Sequence, residues 1–80
     1  MKPSTGTSHV FGAHLTTLRE SAGLTRAQLA EAAGLSRQML RYIEVGDQLP
    51  SLLTAWKIAV ALETTVDHLC TPFTSAKFAD

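Results

Sequence analysis

Leu24 to Glu44 reads LTRAQLAEAAGLSRQMLRYIE, and the spacing of its apolar residues decides the fold. Thr25 precedes the run RAQLAEAA, with Gln28 three residues after it. In that pattern the threonine hydroxyl and the glutamine amide cap each other's backbone N–H groups at a helix start. Leu29, Ala30 and Ala33 then share one helical face, and Gly34 ends the helix. Ser36 caps the next helix, whose inner face is Leu40 and Ile43 and which stops near Gly46. The small side chains of Ala30 and Ala33 suit two short helices that cross steeply with close backbones. The stretch predicts two amphipathic helices joined by a glycine turn.

Working outward, Phe11, Leu15, Leu18 and Ala22 repeat at four, three and four residues and predict a first helix that stops at Gly23. Residues 1–9, with Pro3, Gly6 and several hydroxyl residues, show no periodicity and predict a flexible arm. Pro50-Ser51 opens a fourth helix with Leu52, Ala55, Ala59 and Leu62 facing inward. Thr65 caps a short fifth helix through Cys70, with Asp67 well placed in its first turn, and Pro72 stops it. The expected architecture is an all-α, five-helix domain over residues 10–70, followed by a tail over 71–80 that carries Phe73 and Phe78.

Eighty residues, 45% of them hydrophobic, fit one small ordered domain. No apolar run approaches the roughly 20 residues that cross a bilayer. The N-terminal MKPSTGTSH lacks the apolar stretch of a signal peptide, and Cys70 is a lone cysteine, so the expected location is the cytoplasm. No glycine-rich phosphate loop, nucleophile motif or carboxylate pair suggests an enzyme, and Ser36 and Ser51 read as helix caps. His9, His14, His68 and Cys70 match no structural zinc spacing, so no metal or cofactor is expected. Seven basic residues balance seven acidic ones. Such a chain is expected to hold nucleic acid weakly unless its charges are segregated.

With Leu40 and Ile43 turned inward, the outer arc of the third helix carries Arg37, Gln38, Arg41, Tyr42 and Val45. Arginine pairs bidentately with guanine O6 and N7, and glutamine with adenine N6 and N7, each contact worth about 1–3 kcal/mol of base discrimination. Tyr42 is suited to a thymine methyl or a phosphate. The helix starts at Thr25 and Ser36 present backbone N–H groups that suit phosphate oxygens. Arg41 reads either as a DNA contact or as an ion-pair partner of Glu31 or Asp47. The combination is the sequence form of a helix-turn-helix directed at double-stranded DNA.

Phe11-Gly12, Leu15, Leu18-Arg19, Gly23-Leu24-Thr25, Leu29-Ala30, Gly34-Leu35-Ser36-Arg37, Ile43-Glu44, Gly46, Pro50-Ser51 and Ile58–Leu62 resemble the Xre/Cro family, the lambda-repressor-like DNA-binding domains of phages and bacteria. The resemblance spans roughly residues 10–70. It implies a structural ion pair between Arg19 and Glu44, with Ser36, Arg37, Gln38 and Tyr42 facing the operator. It also implies a phosphate contact at position 26, where the family often has glutamine and this chain has Arg26. Two further departures are Asp47 in a loop that is often basic, and Glu63 where helix 4 usually ends in glycine.

Helix 4 carries a second apolar row, Leu53, Trp56 and Val60, rotated about 100° from its core face. One reading is a twofold homodimer anchored by Trp56, with Leu53, Val60, Leu69 and Cys70 around it. Such a dimer acts on a near-palindromic operator, as a repressor that can include its own promoter. Another is that Phe73 or Phe78 folds back to cover the row. A third, of a different class, is a protein-binding module or antitoxin whose helix 4 face holds a toxin or an anti-repressor.

Overall fold

Side-chain caps set the boundaries of the helices. The computed structural model describes the backbone of residues 4–74, which forms α1 (Ser4–Ser21), α2 (Arg26–Ala33), α3 (Arg37–Val45), α4 (Leu52–Ala61), α5 (Val66–Leu69) and α6 (Thr71–Thr74). The start of α2 is a complete capping box: Thr25 Oγ1 accepts from the Gln28 N–H, and Gln28 Oε1 accepts from the Thr25 N–H at 2.8 Å. Ser36, Ser51 and Thr65 cap α3, α4 and α5 by the same hydroxyl-to-backbone bond. Gly34 ends α2 in the left-handed conformation (φ 72°), where its N–H closes on the Ala30 and Glu31 carbonyls. That conformation turns the chain sharply enough for α3 to start two residues later.

The core is a single cluster in which Leu15, Leu29, Leu40, Ile43, Ile58 and Leu69 are fully buried. Burial of each such side chain contributes about 1.5–3 kcal/mol, so α5, short as it is, is tied down by Leu69. Phe11, Ala30, Ala33, Ala55 and Ala59 complete the cluster. α1 packs across α3, and α2 packs on both α3 and α4. The closest approach lies at Gly12, where an added Cβ would collide with the Glu44 carbonyl oxygen and stand 2.5 Å from that of Ile43.

The structure corrects several expectations. Helix α1 begins at Ser4, so residues 4–9 are helical and not an arm; residues 1–3 lie outside the described residues. This segment has few large apolar residues, but its folding is tertiary: Ser8 is buried, and His9 lies against Gly46 at the end of α3. Ala22 is exposed, because α1 ends one residue earlier. Pro72 does not end the helical chain. It sits in the first turn of α6, where no intrahelical N–H bond is needed, and the count among the described residues is six helices instead of five.

In α4 the inward row is Ala55, Ile58, Ala59 and the half-buried Leu62. Leu52, expected inside, is 77% exposed. It is the first residue of α4, a full turn ahead of Ala55, and projects beyond the packed face. Glu63 follows with φ 58°, the one non-glycine residue with positive φ among those described.

Phe73 packs against the core from α6, which meets α1 and α5, and it leaves Leu53, Trp56 and Val60 more than half exposed. The expectation that Phe73 covers that row is therefore not met, and Phe78 lies outside the described residues. No described helix is long and apolar enough to cross a membrane.

Candidate nucleic-acid interface

Helix α3 is fastened at its far end by one buried carboxylate, Glu44. Arg19 of α1 donates from Nε to Glu44 Oε2 at 2.7 Å and from Nη2 to Glu44 Oε1 at 3.1 Å, while its Nη1 holds the Leu24 carbonyl. The Glu44 side chain is 1% exposed. A buried pair is neutral or stabilising only when its hydrogen bonds are complete, and here they are. The Glu44 hydrogen bond, acting against burial, pushes the Arg19 guanidinium above its ordinary range and keeps it charged. The ion pair implied by the family resemblance is present, and it locks α1, the α1–α2 turn and α3 together.

Arg26 also reaches this carboxylate, with Nε 3.0 Å from Glu44 Oε1. Sequence reading placed Arg26 at a phosphate and missed this bond. Eighteen residues separate the pair, so no helical spacing signals it. Thr25 also departs in part from expectation, because its backbone N–H is taken up by Gln28. The first-turn N–H groups left without an intrahelical acceptor or a cap are those of Arg26 and Ala27.

At the other end of α3, Arg37, Gln38 and Arg41 are exposed and line a shallow concavity with Thr25, Arg26 and Ala27. The Gln38 amide donates to the Tyr42 hydroxyl at 2.7 Å, which makes these two side chains one polar unit across a turn of helix. Ser36 Oγ accepts from the Met39 N–H and so serves as a cap. Arg41 forms no ion pair with Glu31 or Asp47, since both ion pairs among the described residues involve Glu44. Three arginines thus border one face of a chain with no net charge. Segregation of charge, not its total, gives this face its positive potential.

A second surface, on α4, is apolar. Leu52, Leu53, Trp56 and Val66 line a groove with almost no polar surface, and Val60 is 53% exposed one turn beyond Trp56. Leu69, expected at a dimer interface with Trp56, is instead 1% exposed and part of the monomer core. It faces inward because Thr65 starts α5 one turn before it. Cys70 is half-buried at the end of α5.

His14 Nε2 lies 3.0 Å from the His68 carbonyl and 3.1 Å from Thr71 Oγ1, so this imidazole ties α1 to the α5–α6 junction. No group of three or more potential metal ligands occurs among the described residues.

The result is a helix-turn-helix whose second helix is pinned at one end and carries arginines toward the other. The family model HTH_3, helix-turn-helix, matches residues 15–69. The chain belongs to the HTH_3 helix-turn-helix family. This is a class of DNA-binding transcription regulators and not of enzymes.

The chain is 39% identical over 62 residues to the HTH-type transcriptional regulator SutR of Escherichia coli (strain K12), a match covering 78% of this chain and 35% of SutR. Identity to the cryptic phage CTXphi transcriptional repressor RstR of Vibrio cholerae is 38% over 56 residues, covering 70% of this chain and 50% of RstR. The chain spans a third to a half of the length of these two curated relatives. Its fold also matches the crystal structure of the restriction-modification controller protein C.AhdI from Aeromonas hydrophila with a TM-score of 0.78 and 33% identity, covering 80% of this chain and 97% of that one. Within the HTH_3 frame α2 and α3 are the helix-turn-helix.

Proposed function

We propose that this chain is a sequence-specific regulator of transcription that binds duplex DNA as a homodimer and represses by occupying a promoter, its own included. The observation that carries this reading is the arginine-lined face at the start of α3, in a chain with no net charge. In this reading Arg37 and Gln38 enter the major groove first and read guanine and adenine edges, with Arg41 and Tyr42 one turn deeper. Arg26, the start of α2 near Thr25, and Ser36 contact the phosphate backbone. Repression is supported by the similarity to the phage repressor RstR, and a compact controller of this size by the similarity to C.AhdI.

Homodimerisation rests on the exposed face of α4. Leu52, Leu53, Trp56 and Val60 are all more than half exposed, a contiguous apolar surface of the kind that marks an interface. Paired through this face, two copies of α3 are expected about 34 Å apart, one turn of DNA, on a near-palindromic operator. Leu69 takes no part in that interface, being in the core.

The same apolar face favours a second reading, in which it holds a partner protein such as a toxin or an anti-repressor. Sedimentation of wild type and Trp56→Glu separates the two. Homodimerisation predicts a wild-type dimer and a folded Trp56→Glu monomer. The monomer's operator binding should be weakened at least about a hundredfold, as expected when a central aromatic anchor is lost. A variant that stays dimeric removes this interface, and a monomeric wild type transfers the face to a partner protein.

A further inference from the structure

We propose that Tyr42 is a positioning residue for Gln38: its hydroxyl fixes the orientation of the Gln38 amide and so restricts that side chain to adenine. The proposal rests on the DNA-binding reading above and deepens it, naming the residue that makes one base reader selective.

A glutamine amide is not selective on its own. Its Oε1 is an acceptor and its Nε2 carries two N–H donors. With Oε1 and one N–H side by side it matches adenine, which presents the N6 donor beside the N7 acceptor. With both N–H groups it matches guanine, whose O6 and N7 are both acceptors. The last side-chain torsion is broad and roughly twofold, so a free glutamine can turn either pattern to the groove.

At Gln38 one donor is already committed. Its Nε2 donates to the Tyr42 hydroxyl at 2.7 Å, one helical turn on. Oε1 and a single N–H remain, which is the adenine pattern, and the two-donor guanine pattern is lost. The direction of the bond has a local cause. Gln38 borders the concavity that Arg26, Arg37 and Arg41 also line. The positive field of that face favours an amide dipole with its carbonyl oxygen toward the arginines and its NH2 turned to the tyrosine. Gln38 is exposed whereas Tyr42 is half-buried, so the ring is the fixed member of the pair and the amide is the one held. A side chain ordered in advance loses less freedom when DNA binds.

The test uses the duplex selected by wild type, with each base pair of a half-site changed in turn to the other three. Dissociation constants are measured for wild type, Gln38→Ala, Tyr42→Phe and the double variant. The position read by Gln38 is the one whose preference Gln38→Ala flattens. There wild type is expected to favour adenine over guanine by about tenfold or more. Tyr42→Phe keeps the ring and removes only the hydroxyl. It is expected to cut that ratio at least about threefold while the preferences at other positions stay as in wild type. In the Gln38→Ala background it is expected to change no preference.

A preference other than adenine at the Gln38 position overturns the proposal, as does a Gln38→Ala variant that flattens no position. A change of preference that is equal with and without Gln38 also overturns it, because Tyr42 then reads a base itself. So does a Tyr42→Phe variant that keeps every wild-type preference, whether or not its affinity falls uniformly. A wild-type chain that prefers no duplex over random DNA fails the DNA-binding reading itself, and this proposal with it.

Discussion

Gly12→Ala is expected to destabilise the domain by about 3 kcal/mol, at the upper end of overpacking costs. For a chain of this length that lowers the Tm by roughly 15 °C. Two effects of opposite sign compete. Alanine in a helix interior gains about 1 kcal/mol over glycine. Against this, the new Cβ would meet the carbonyl oxygens of Glu44 and Ile43 and lie 2.9 Å from the Glu44 carbonyl carbon. All three atoms are backbone, so no side chain can swing aside, and α1 must move off α3. That movement also pulls Arg19 from Glu44, whose bonds of 2.7 and 3.1 Å leave little slack. Gly6 provides the control in the same helix, since nothing lies within 4 Å of its Cβ position. Gly6→Ala is expected to raise stability by up to about 1 kcal/mol. Thermal or denaturant unfolding of the two variants checks both signs, and a neutral Gly12→Ala would mean that α1 and α3 do not meet at this point.

The second large effect is expected on binding alone. Arg37→Glu should lower affinity for the selected duplex by about a hundredfold or more. It removes a bidentate contact of about 1–3 kcal/mol and sets a carboxylate against guanine acceptors and phosphates. Stability should be unchanged or slightly higher. Arg37 is the exposed first residue of α3, and an acidic side chain in the first turn of a helix is favoured by its dipole. The opposite signs are the test: a variant that binds poorly because it is unfolded would show both losses together. Fluorescence anisotropy for binding and circular dichroism for unfolding distinguish the cases. A folded Arg37→Glu variant with wild-type affinity would remove α3 from the groove.

Most of the fold is legible locally, because its boundaries are written in caps. Thr25 with Gln28, Ser36, Ser51 and Thr65 all cap where their spacing to the apolar rows predicts. Gly34 and Gly46 end the two helices that matter most. The outer arc of α3 is legible for the same reason: once Leu40 and Ile43 face inward, helical periodicity places Arg37, Gln38 and Arg41 outside.

What escapes local reading depends on partners distant in sequence. The first turns of α1 have little apolar signal and gain their place from contact with the end of α3. Leu69 and Leu52 exchange their expected environments because burial follows which elements pack, not which residues are apolar. Arg26 and Glu44 meet only because the turn at Gly34 packs α2 against α3. Gly12 stands beside Phe11 in the motif, but its reason, a backbone 2.5 Å from where a Cβ would be, exists only in three dimensions.

Whether α3 reads a DNA sequence is decided by selection of bound duplexes from random DNA, followed by titration of the enriched sequence at two salt concentrations. The expected result is a near-palindromic motif with half-sites about one helical turn apart, bound with nanomolar affinity. Because three arginines border this face, few counterions are released, and the loss of affinity between the two salt concentrations should be modest. No enriched motif, with only micromolar and salt-sensitive binding, would contradict it and leave the apolar face of α4 as the functional surface of the domain.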